Sequence, residues 1–425
     1  MLNRRIITII LLTGMLFGQS TMNGYGYGMF SHNNDSSSLG SGSIGLLPTF
    51  QNNVSLSNPS TWHNMPFTFL SLSFEGQNNS FDDQSFSNSN LSSAKFIIPA
   101  KQKLSIGITF SPFLSRQLTV SDTTYQSFVF SETDTLQYSR SNETSGGSSM
   151  MQFAVGYNLN DKDDIAVAVD VLFGSSRSVR NLIIDNTDHL LQSRDYFTGS
   201  MLGLYYTTKR FSYKEKPLIL ALNYNFSLNP VDVRNESYQA FIDVNSNNYH
   251  DSVDYPTASQ ALTPTDNTFT DEIKISNLKI GLDYKIYDNY HLQFEFDQWN
   301  NNGNNNLLSS VYPGYIKGKN RFNVSLSKFS KYLANNSFEK INFRSGLFFG
   351  NYNIKSTGLE KLSDVNEIGL AIGFGVRFGL TNNQLDLSYN FIQRDNIYKV
   401  GVENIQAFNV GISIGDLWFV KRREI

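Results

Sequence analysis

Residues 368–379 read IGLAIGFGVRFG, in which Ile, Leu, Phe and Val alternate with Gly, Ala and Arg. Side chains two residues apart share one face of a β-strand, so this run has one apolar face and one small or polar face. It lasts about ten residues, whereas a strand of a soluble protein usually has about five or six. Because a strand that crosses a bilayer needs about nine to eleven residues, the run predicts a membrane-spanning strand.

Runs of the same kind recur along the chain from residue 67. We count about fourteen, an even number as in bacterial single-chain barrels, at 67–75, 91–98, 103–112, 149–159, 163–174, 197–208, 217–228, 274–287, 290–299, 320–331, 339–351, 366–380, 383–394 and 405–415. Tight turns mostly alternate with long polar stretches, which lie at 113–148, 175–196, 229–273 and 300–319. Outer-membrane barrels have short periplasmic turns and long external loops. The sequence therefore predicts an all-β, antiparallel transmembrane barrel of about fourteen strands over 66–419.

The composition of the 425-residue chain agrees with a barrel and excludes several classes of protein. Charged residues are 17 % and aromatic residues 14 %, while the mean hydropathy of −0.30 is too low for a helical membrane protein. The absence of cysteine excludes disulfide scaffolds, thiolate zinc sites, cysteine nucleophiles and a lipoprotein anchor. A net charge of −3 gives no electrostatic footprint for nucleic acid, so we expect no nucleic-acid partner.

The two ends of the chain differ from the strand region. Residues 1–20 combine Arg4 and Arg5 with a short apolar run and small residues before a cleavage point, which predicts a signal peptide and export to the outer membrane. Residues 21–65 contain one charged side chain, Asp35, and many Gly, Ser and Asn, so we expect a plug inside the barrel. At the other end, Trp418 and Phe419 look like the closing signal read by the barrel-assembly machinery, and 420–425 are expected to form a periplasmic tail.

Two short motifs resemble the FadL family of outer-membrane transporters for hydrophobic compounds. A Gly-rich stretch at 39–42 is followed by Ser-Asn58-Pro59-Ser, which is similar to the family's Asn-Pro-Ala element before the first strand. Residues 108–113, ITFSPF, resemble its Pro-Phe element in the third strand. The resemblance implies a plugged barrel that transports hydrophobic small molecules, such as long-chain fatty acids, without a cofactor. Its expected surroundings are the lipid bilayer and lipopolysaccharide.

Pro112 and Phe113 form the predicted strand break of this motif. Proline donates no hydrogen bond to a β-ladder, so it marks an edge, a bulge or a break. In the FadL family a kink in this strand opens a lateral window from the lumen to the membrane, which implies sideways exit of the substrate. The alternative is that Pro112 merely ends the third strand at the external interface.

Aromatic and apolar residues on the plug and on the lumen side are the candidate substrate contacts. They are Leu47, Phe50, Phe67, Phe69 and Trp299. The alternative role for each of them is to hold the plug against the barrel wall.

One predicted external loop has the spacing of a calcium-binding loop. With Asp243 as position 1, side-chain oxygen ligands fall at positions 1, 3, 5, 9 and 12, which are Asp243, Asn245, Asn247, Asp251 and Asp254. Tyr249 at position 7 could offer its backbone carbonyl. Asn248 replaces the usual Gly, and Asn tolerates the left-handed conformation next best. We expect weak Ca²⁺ binding that stiffens the loop, with a merely solvated polar loop as the alternative.

No motif predicts an enzyme. Residues 40–45 match G-x-G-x-x-G but lack the flanking strand, helix and acid of a dinucleotide site, and the five histidines have no metal-ligand spacing. Two other functions stay open beside transport. The barrel could be a secretion-associated scaffold that binds exported protein cargo, or a general porin with an open charged constriction.

Overall fold

The computed structural model describes most of the chain. It covers residues 22, 26, 28–30, 35–81, 84–101, 103–129, 135–184, 187–287, 289–306, 314–331, 336–356, 363–379, 381, 383–395 and 401–416. The predicted signal peptide at 1–20, the pair Trp418 and Phe419 and the predicted tail at 420–425 lie outside the described residues. Within the described residues, no helix is long and apolar enough to cross a membrane.

Strands dominate the structure. In chain order they are β1 Met29–Phe30, β2 Thr68–Phe81, β3 Gln84–Lys101, β4 Leu104–Ser115, β5 Leu118–Val129, β6 Thr135–Asn160, β7 Asp163–Ile184, β8 Thr187–Tyr213, β9 Lys216–Ser237, β10 Phe241–Asp243, β11 Thr265–Ile273, β12 Ile275–Tyr287, β13 Tyr290–Asn301, β14 Gly314–Lys328, β15 Ile341–Ser356, β16 Val365–Phe378, β17 Asn383–Asp395 and β18 Val402–Asp416. One short helix, α1, spans Ser36–Leu39, and two 3-10 helices span Pro59–Asn64 and Ser337–Lys340.

Fourteen of these strands close into a ring. The strands β2, β3, β4, β6, β7, β8, β9 and β12 to β18 pair with their neighbours in this order, always antiparallel. The ring closes because β18 pairs with β2 from Asp416 opposite Thr68 to Asn404 opposite Ser80. The predicted antiparallel barrel of about fourteen strands is therefore confirmed.

The barrel is apolar outside and polar inside. On β16, Ile368, Leu370 and Phe374 point outward and are 44–48 % exposed, while the alternating glycines and Ala371 face the lumen. Inward positions of other strands carry buried charges, including Lys95 and Arg344. This distribution is the reverse of a soluble protein and is that of a barrel whose outer surface meets lipid.

The stretches predicted as long polar loops are in part strands, which corrects the sequence-based boundaries. The strands β6, β7 and β8 continue into these stretches and reach full lengths of 22 to 27 residues. The strands β5, β10 and β11 widen this extension by pairing with β6, β8 and β9, respectively. The extension lies beyond the apolar band, at the end away from the short turns. Its apolar and polar residues do not alternate cleanly because both faces can meet water, so the period-two signal that reveals the spanning strands is absent there.

Candidate functional site: a plugged lumen with an apolar chamber

Residues 35–65 lie inside the barrel and contact its wall on all sides. Glycines at inward wall positions allow the segment's backbone to come close. A Cβ atom on Gly346 of β15 would lie 2.0 Å from the carbonyl oxygen of Ser41, and one on Gly156 of β6 would lie 2.3 Å from that of Pro59. The segment is therefore a plug that fits this wall, and its position requires glycine at these two sites.

Buried charges hold the plug in place. Glu295 of β13 accepts hydrogen bonds from the backbone N–H groups of Ile44, Leu46 and Leu47 at 2.9, 3.1 and 3.0 Å. Two strands further along the ring, Arg344 of β15 donates to the carbonyl of Thr49 at 2.6 Å and pairs with Asp386 at 2.8 Å. These groups are buried. Departure of the plug would therefore leave each of them without a hydrogen-bond partner, which costs free energy.

Asp35 is the plug's own anchor charge. It caps α1 by accepting from the Ser38 N–H at 3.0 Å, and its other oxygen lies 3.4 Å from the Lys95 ammonium of β3. Burial raises the pKa of the Asp35 carboxyl, but the nearby Lys95 charge and the hydrogen bonds from Ser37, Ser38 and Ser57 more than offset this and hold that pKa at about 2. Asp35 is therefore a carboxylate at neutral pH.

The predicted plug motif closes this segment. The Asn58 side chain accepts from the Ser60 N–H at the start of the 3-10 helix and donates to the Leu46 carbonyl at 2.8 Å and to Thr207 of β8 at 3.2 Å. Pro59 follows at the first helical turn, where a missing N–H costs nothing. Asn58 thereby links the two halves of the plug to each other and to the wall.

Above the plug, towards the extended end, the lumen contains an apolar chamber. The chamber is open on one side, and its free space of about 920 Å³ includes solvent at that opening. The apolar lining residues are Phe30, Phe113, Met150, Met201, Ile275, Trp299, Ile316 and Tyr352. They come from β1 and seven barrel strands, and they belong to one buried cluster that reaches around the lumen.

The floor of the chamber is polar. Ile44, Gly45, Leu46 and Ser57 of the plug meet Gln152, Asp170, Asn223, Lys279 and Lys319 of the wall there. Asp170 accepts from Gln152 at 2.8 Å, Lys319 lies 3.6 Å from Glu367, and the Lys279 ammonium lies 3.5 Å from the Ile44 carbonyl oxygen. The cavity is therefore apolar at its sides and can pair one polar or anionic group at its base.

The wall is interrupted beside this chamber. The strand β3 pairs with β4 only from Lys101 opposite Leu104 to Ala94 opposite Phe110. Beyond this point β4 continues through Pro112 to Ser115, paired with β6 and with a register shift between Pro112 and Leu114, while β3 stays with β2. Pro112 therefore lies within a strand that has lost its neighbour on one side.

The N-terminal strand β1 occupies part of the edge that β3 leaves. Met29 pairs with Ser115 and Phe30 with Leu114. The Phe30 ring lies 5.6 Å from that of Phe113 and 4.0 Å from that of Trp299, measured between centroids. Phe30 thus extends from the interrupted wall across the chamber to β13.

The structure divides the predicted substrate contacts into two groups. Trp299 lines the chamber. The others do not line it. Phe50 and Phe69 stack edge to face at 5.5 Å near Phe67 in the cluster that contains Trp62, and Leu47 packs in a small cluster with Ile44. These four side chains lie between plug and wall, as in the alternative role considered above.

Several chamber residues were not singled out by sequence. Phe30, Met150, Met201 and Tyr352 line the cavity although each lies in a run without a special motif. A usable signal does exist in β7, whose inward positions change from Ala168 and Asp170 to the buried apolar Leu172. An inward face that becomes apolar towards one end indicates an apolar zone in the lumen.

The predicted calcium ligands lie together in the loop after β10. Asp243 accepts from the N–H groups of Asn247 and Asn248, and Asp251 accepts from the amides of Asn245 and Asn247. Asn248 has φ +61°, the left-handed conformation expected at this position. Asp254 accepts from Val244 and Asp251 N–H groups, and Tyr249 is 64 % exposed. Within the described residues no cluster of three or more His, Cys, Asp or Glu could hold a metal, and Ca²⁺ binding stays a prediction.

Comparison with known proteins places the chain in a family. A family model described as BamG matches residues 1–424. The chain belongs to the BamG family. A comparison with curated protein sequences finds no significant match.

Solved structures similar to this BamG-family chain include a FadL homologue and a monoaromatic hydrocarbon channel. A Pseudomonas aeruginosa FadL homologue is 9 % identical, with a TM-score of 0.56 over 90 % of this chain and 98 % of that one. The CymD monoaromatic hydrocarbon channel is 11 % identical, with a TM-score of 0.53 over 92 % and 100 % of the respective chains. At these identities the likeness concerns the fold, and it confirms the FadL-like architecture predicted from the motifs.

Proposed function

We propose that this protein is an outer-membrane channel for hydrophobic small molecules, with the apolar chamber as its binding site. The observation that carries the proposal is the ring of apolar side chains in a lumen that is otherwise polar. A general porin needs a wet, charged constriction, whereas Phe30, Phe113 and Trp299 line this level of the lumen with aromatic rings. The names of the structural relatives, which are channels for aromatic hydrocarbons or FadL homologues, agree with this class of substrate.

The proposed substrate has an apolar body and at most one small anionic or polar group, such as a fatty acid. The body would replace Phe30 between Phe113 and Trp299. Lys279 makes no ion pair with any described residue, so its ammonium is available to a carboxylate at the chamber floor.

The proposed exit is lateral, through the wall beside Pro112. The β4 edge beyond Phe110 has β1 instead of β3 as its partner, and β1 contributes only two residues. Withdrawal of β1 would open a path from chamber to bilayer without breaking any pairing between barrel strands. Movement from water to lipid is downhill for a hydrophobic molecule, so no energy source is required.

The test is extraction of the detergent-purified, heat-modifiable barrel with organic solvent, followed by mass spectrometry. We expect about one hydrophobic molecule per barrel, in keeping with a single pocket. The molecule should be lost from the Trp299→Ala variant. It should be kept in Phe322→Ala, which removes an outward ring that is 44 % exposed. A folded wild-type barrel that yields nothing, and binds no added fatty acid or aromatic hydrocarbon, would contradict the proposal.

One observation favours a second candidate, a scaffold for exported protein. The strands β5 to β9 with β11 form a sheet beyond the chamber, and the plug closes the lumen beneath it. Such a sheet offers unpaired strand edges to an extended peptide. Co-purification of a stoichiometric exported protein, lost when residues 118–129 are deleted while the chamber stays empty, would select the scaffold.

A further inference from the structure

A second cavity opens at the opposite end of the barrel, where the short turns lie. It holds about 900 Å³ of empty space, counted to its mouth. One side is the plug loop from Gln51 to Val54, and the other is the rim formed by Asn289, Phe329, Ser330, Lys331 and Arg377. Short turns face the periplasm in outer-membrane barrels, so this cavity is the periplasmic mouth between plug and wall.

Hydrogen-bond donors and a cation dominate this lining. The side chains that reach it include five Asn or Gln amides, one hydroxyl, one ammonium and one guanidinium, and no carboxylate is among the lining residues that the structure describes. Several of the polar atoms are buried without a hydrogen-bond partner. They are Gln51 Nε2, Asn52 Oδ1, Ser330 Oγ and Arg377 Nε. Buried polar groups normally have partners, so four orphaned atoms around one cavity indicate a missing occupant.

Arg377 brings an uncompensated positive charge to this cavity. It is the inward residue at the end of β16, and among the described residues it makes no hydrogen bond and no ion pair. The nearby carboxylate, Asp386, is already used by Arg344 at 2.8 Å and by the Gln384 amide at 2.9 and 2.8 Å. Lys331 is paired with Glu339 at 2.8 Å. The occupant that satisfies the unpartnered donors of this site, Gln51 Nε2 and Arg377 Nε, is therefore an anion.

The cavity also offers apolar contact. Val54 and Phe329 are both 1 % exposed and line it. An anionic head with a short apolar stem could place that stem against the edges of these two side chains, whereas a bare inorganic anion has no apolar part to do so. We propose that the periplasmic mouth binds the anionic head of an amphiphile, with Arg377 as its charge partner. The head is a carboxylate or a phosphate, and the inference holds whether or not the upper chamber transports anything.

The experiment places a reporter at this mouth alone. Because the chain has no cysteine, Asn53→Cys gives a single site for a trifluoromethyl label, and Asn53 is exposed and lines the cavity. The labelled full-length barrel in a neutral detergent is titrated with hexanoate, hexyl phosphate, acetate or hexanol and followed by fluorine NMR. We expect a saturable shift with hexanoate or hexyl phosphate, about tenfold weaker binding of acetate, and no shift with hexanol. The better of the first two identifies a fatty-acid or a phospholipid source.

Matched variants separate this site from the chamber and from general charge effects. With Arg377→Gln we expect at least a tenfold loss of affinity, because a charge-assisted hydrogen bond is removed. Lys340→Gln, an exposed cation at the same end, and Trp299→Ala in the chamber should leave the titration unchanged. Equal shifts with hexanol, or full affinity in Arg377→Gln, would overturn the proposal. If Arg377→Gln fails to fold, the titration of the barrel that keeps Arg377 still tests the proposal. Its affinity for hexanoate must fall as salt is added, because salt screens the attraction between the two charges.

Discussion

The rings of Phe30 and Trp299 lie 4.0 Å apart between centroids, at an angle of 45°, and join the N-terminal strand to the far wall of the lumen. Phe30 comes from a two-residue strand that pairs with the β4 edge beside Pro112, whereas Trp299 belongs to a continuous barrel strand. One side chain thus occupies both the chamber and the approach to the interrupted wall. Its removal should affect binding and release together.

The Phe30→Ala variant should therefore admit hydrophobic ligands and release them faster. Loss of the ring vacates space that the ligand needs, and it also removes aromatic contacts worth about 0.5–1.5 kcal/mol that hold β1 in place. The measurement is uptake and efflux of a fluorescent fatty acid by vesicles containing the purified barrel. The control is Phe349→Ala, which removes an outward ring that is 49 % exposed. Slower flux through Phe30→Ala than through the control would argue against a gating role for Phe30.

The spanning strands could be predicted from sequence because their two faces meet different solvents. In β16, lipid selects Ile368 and Phe374 while the close plug backbone selects Gly373, and this contrast is visible as period two. The chamber could not be predicted to the same extent. Phe50 and Phe30 are both aromatic residues in Gly- and Ser-rich stretches, and only the path of the chain puts one against the wall and the other in the cavity. In the plug segment, which has no regular alternation, depth along the lumen cannot be read from the sequence.

The pairing of Asp35 with Lys95 should make plug docking depend on pH in a defined direction. The folded pKa of Asp35, about 2, is below its ordinary value of 3.8. The carboxylate therefore contributes stability that is complete above about pH 4 and is lost as the pH falls through about 2. Hydrogen–deuterium exchange of residues 35–65 should accordingly stay slow from pH 7 to 4 in the wild-type barrel, after correction for the intrinsic exchange rate.

The Lys95→Met variant should reverse this dependence. Without the ammonium, Asp35 becomes an unpaired buried carboxylate, a change that costs about 3–5 kcal/mol in buried pairs. The plug should then exchange faster at pH 7 and recover at pH 4, where protonation of Asp35 removes the buried charge. Lys103→Met, at the exposed turn before β4, should behave as wild type. Equal exchange in both variants at pH 7 would show that the pair does not hold the plug.

Replacement of Glu295 should release the central part of the plug. The Glu295→Gln variant keeps the shape but turns one acceptor into an amide donor that faces the N–H groups of Ile44, Leu46 and Leu47. Loss of charge-assisted hydrogen bonds of this kind costs about 1.5–3 kcal/mol each. We expect faster exchange at 44–47 and more frequent channel openings in planar bilayers. The matched control is Glu339→Gln, since Glu339 lies on the rim outside the lumen and pairs with Lys331.

Glycine at position 346 should be essential for plug seating, although it lies in a strand where larger residues are usually favoured. The Cβ of Gly346→Ala would fall 2.0 Å from the Ser41 carbonyl oxygen, and a backbone atom cannot turn aside as a side chain can. The added Cβ would also lie 2.9 Å from the Cβ of Ser325 on β14, which requires a small shift of the wall. The overlap with the plug backbone is much more severe, so the variant should fold but conduct ions through a displaced plug. Gly76→Ala is the control, because the nearest atom to its Cβ is 3.9 Å away, an ordinary contact distance. If Gly346→Ala were as tightly closed to ions as Gly76→Ala, the plug could not be seated on β15 as the structure has it.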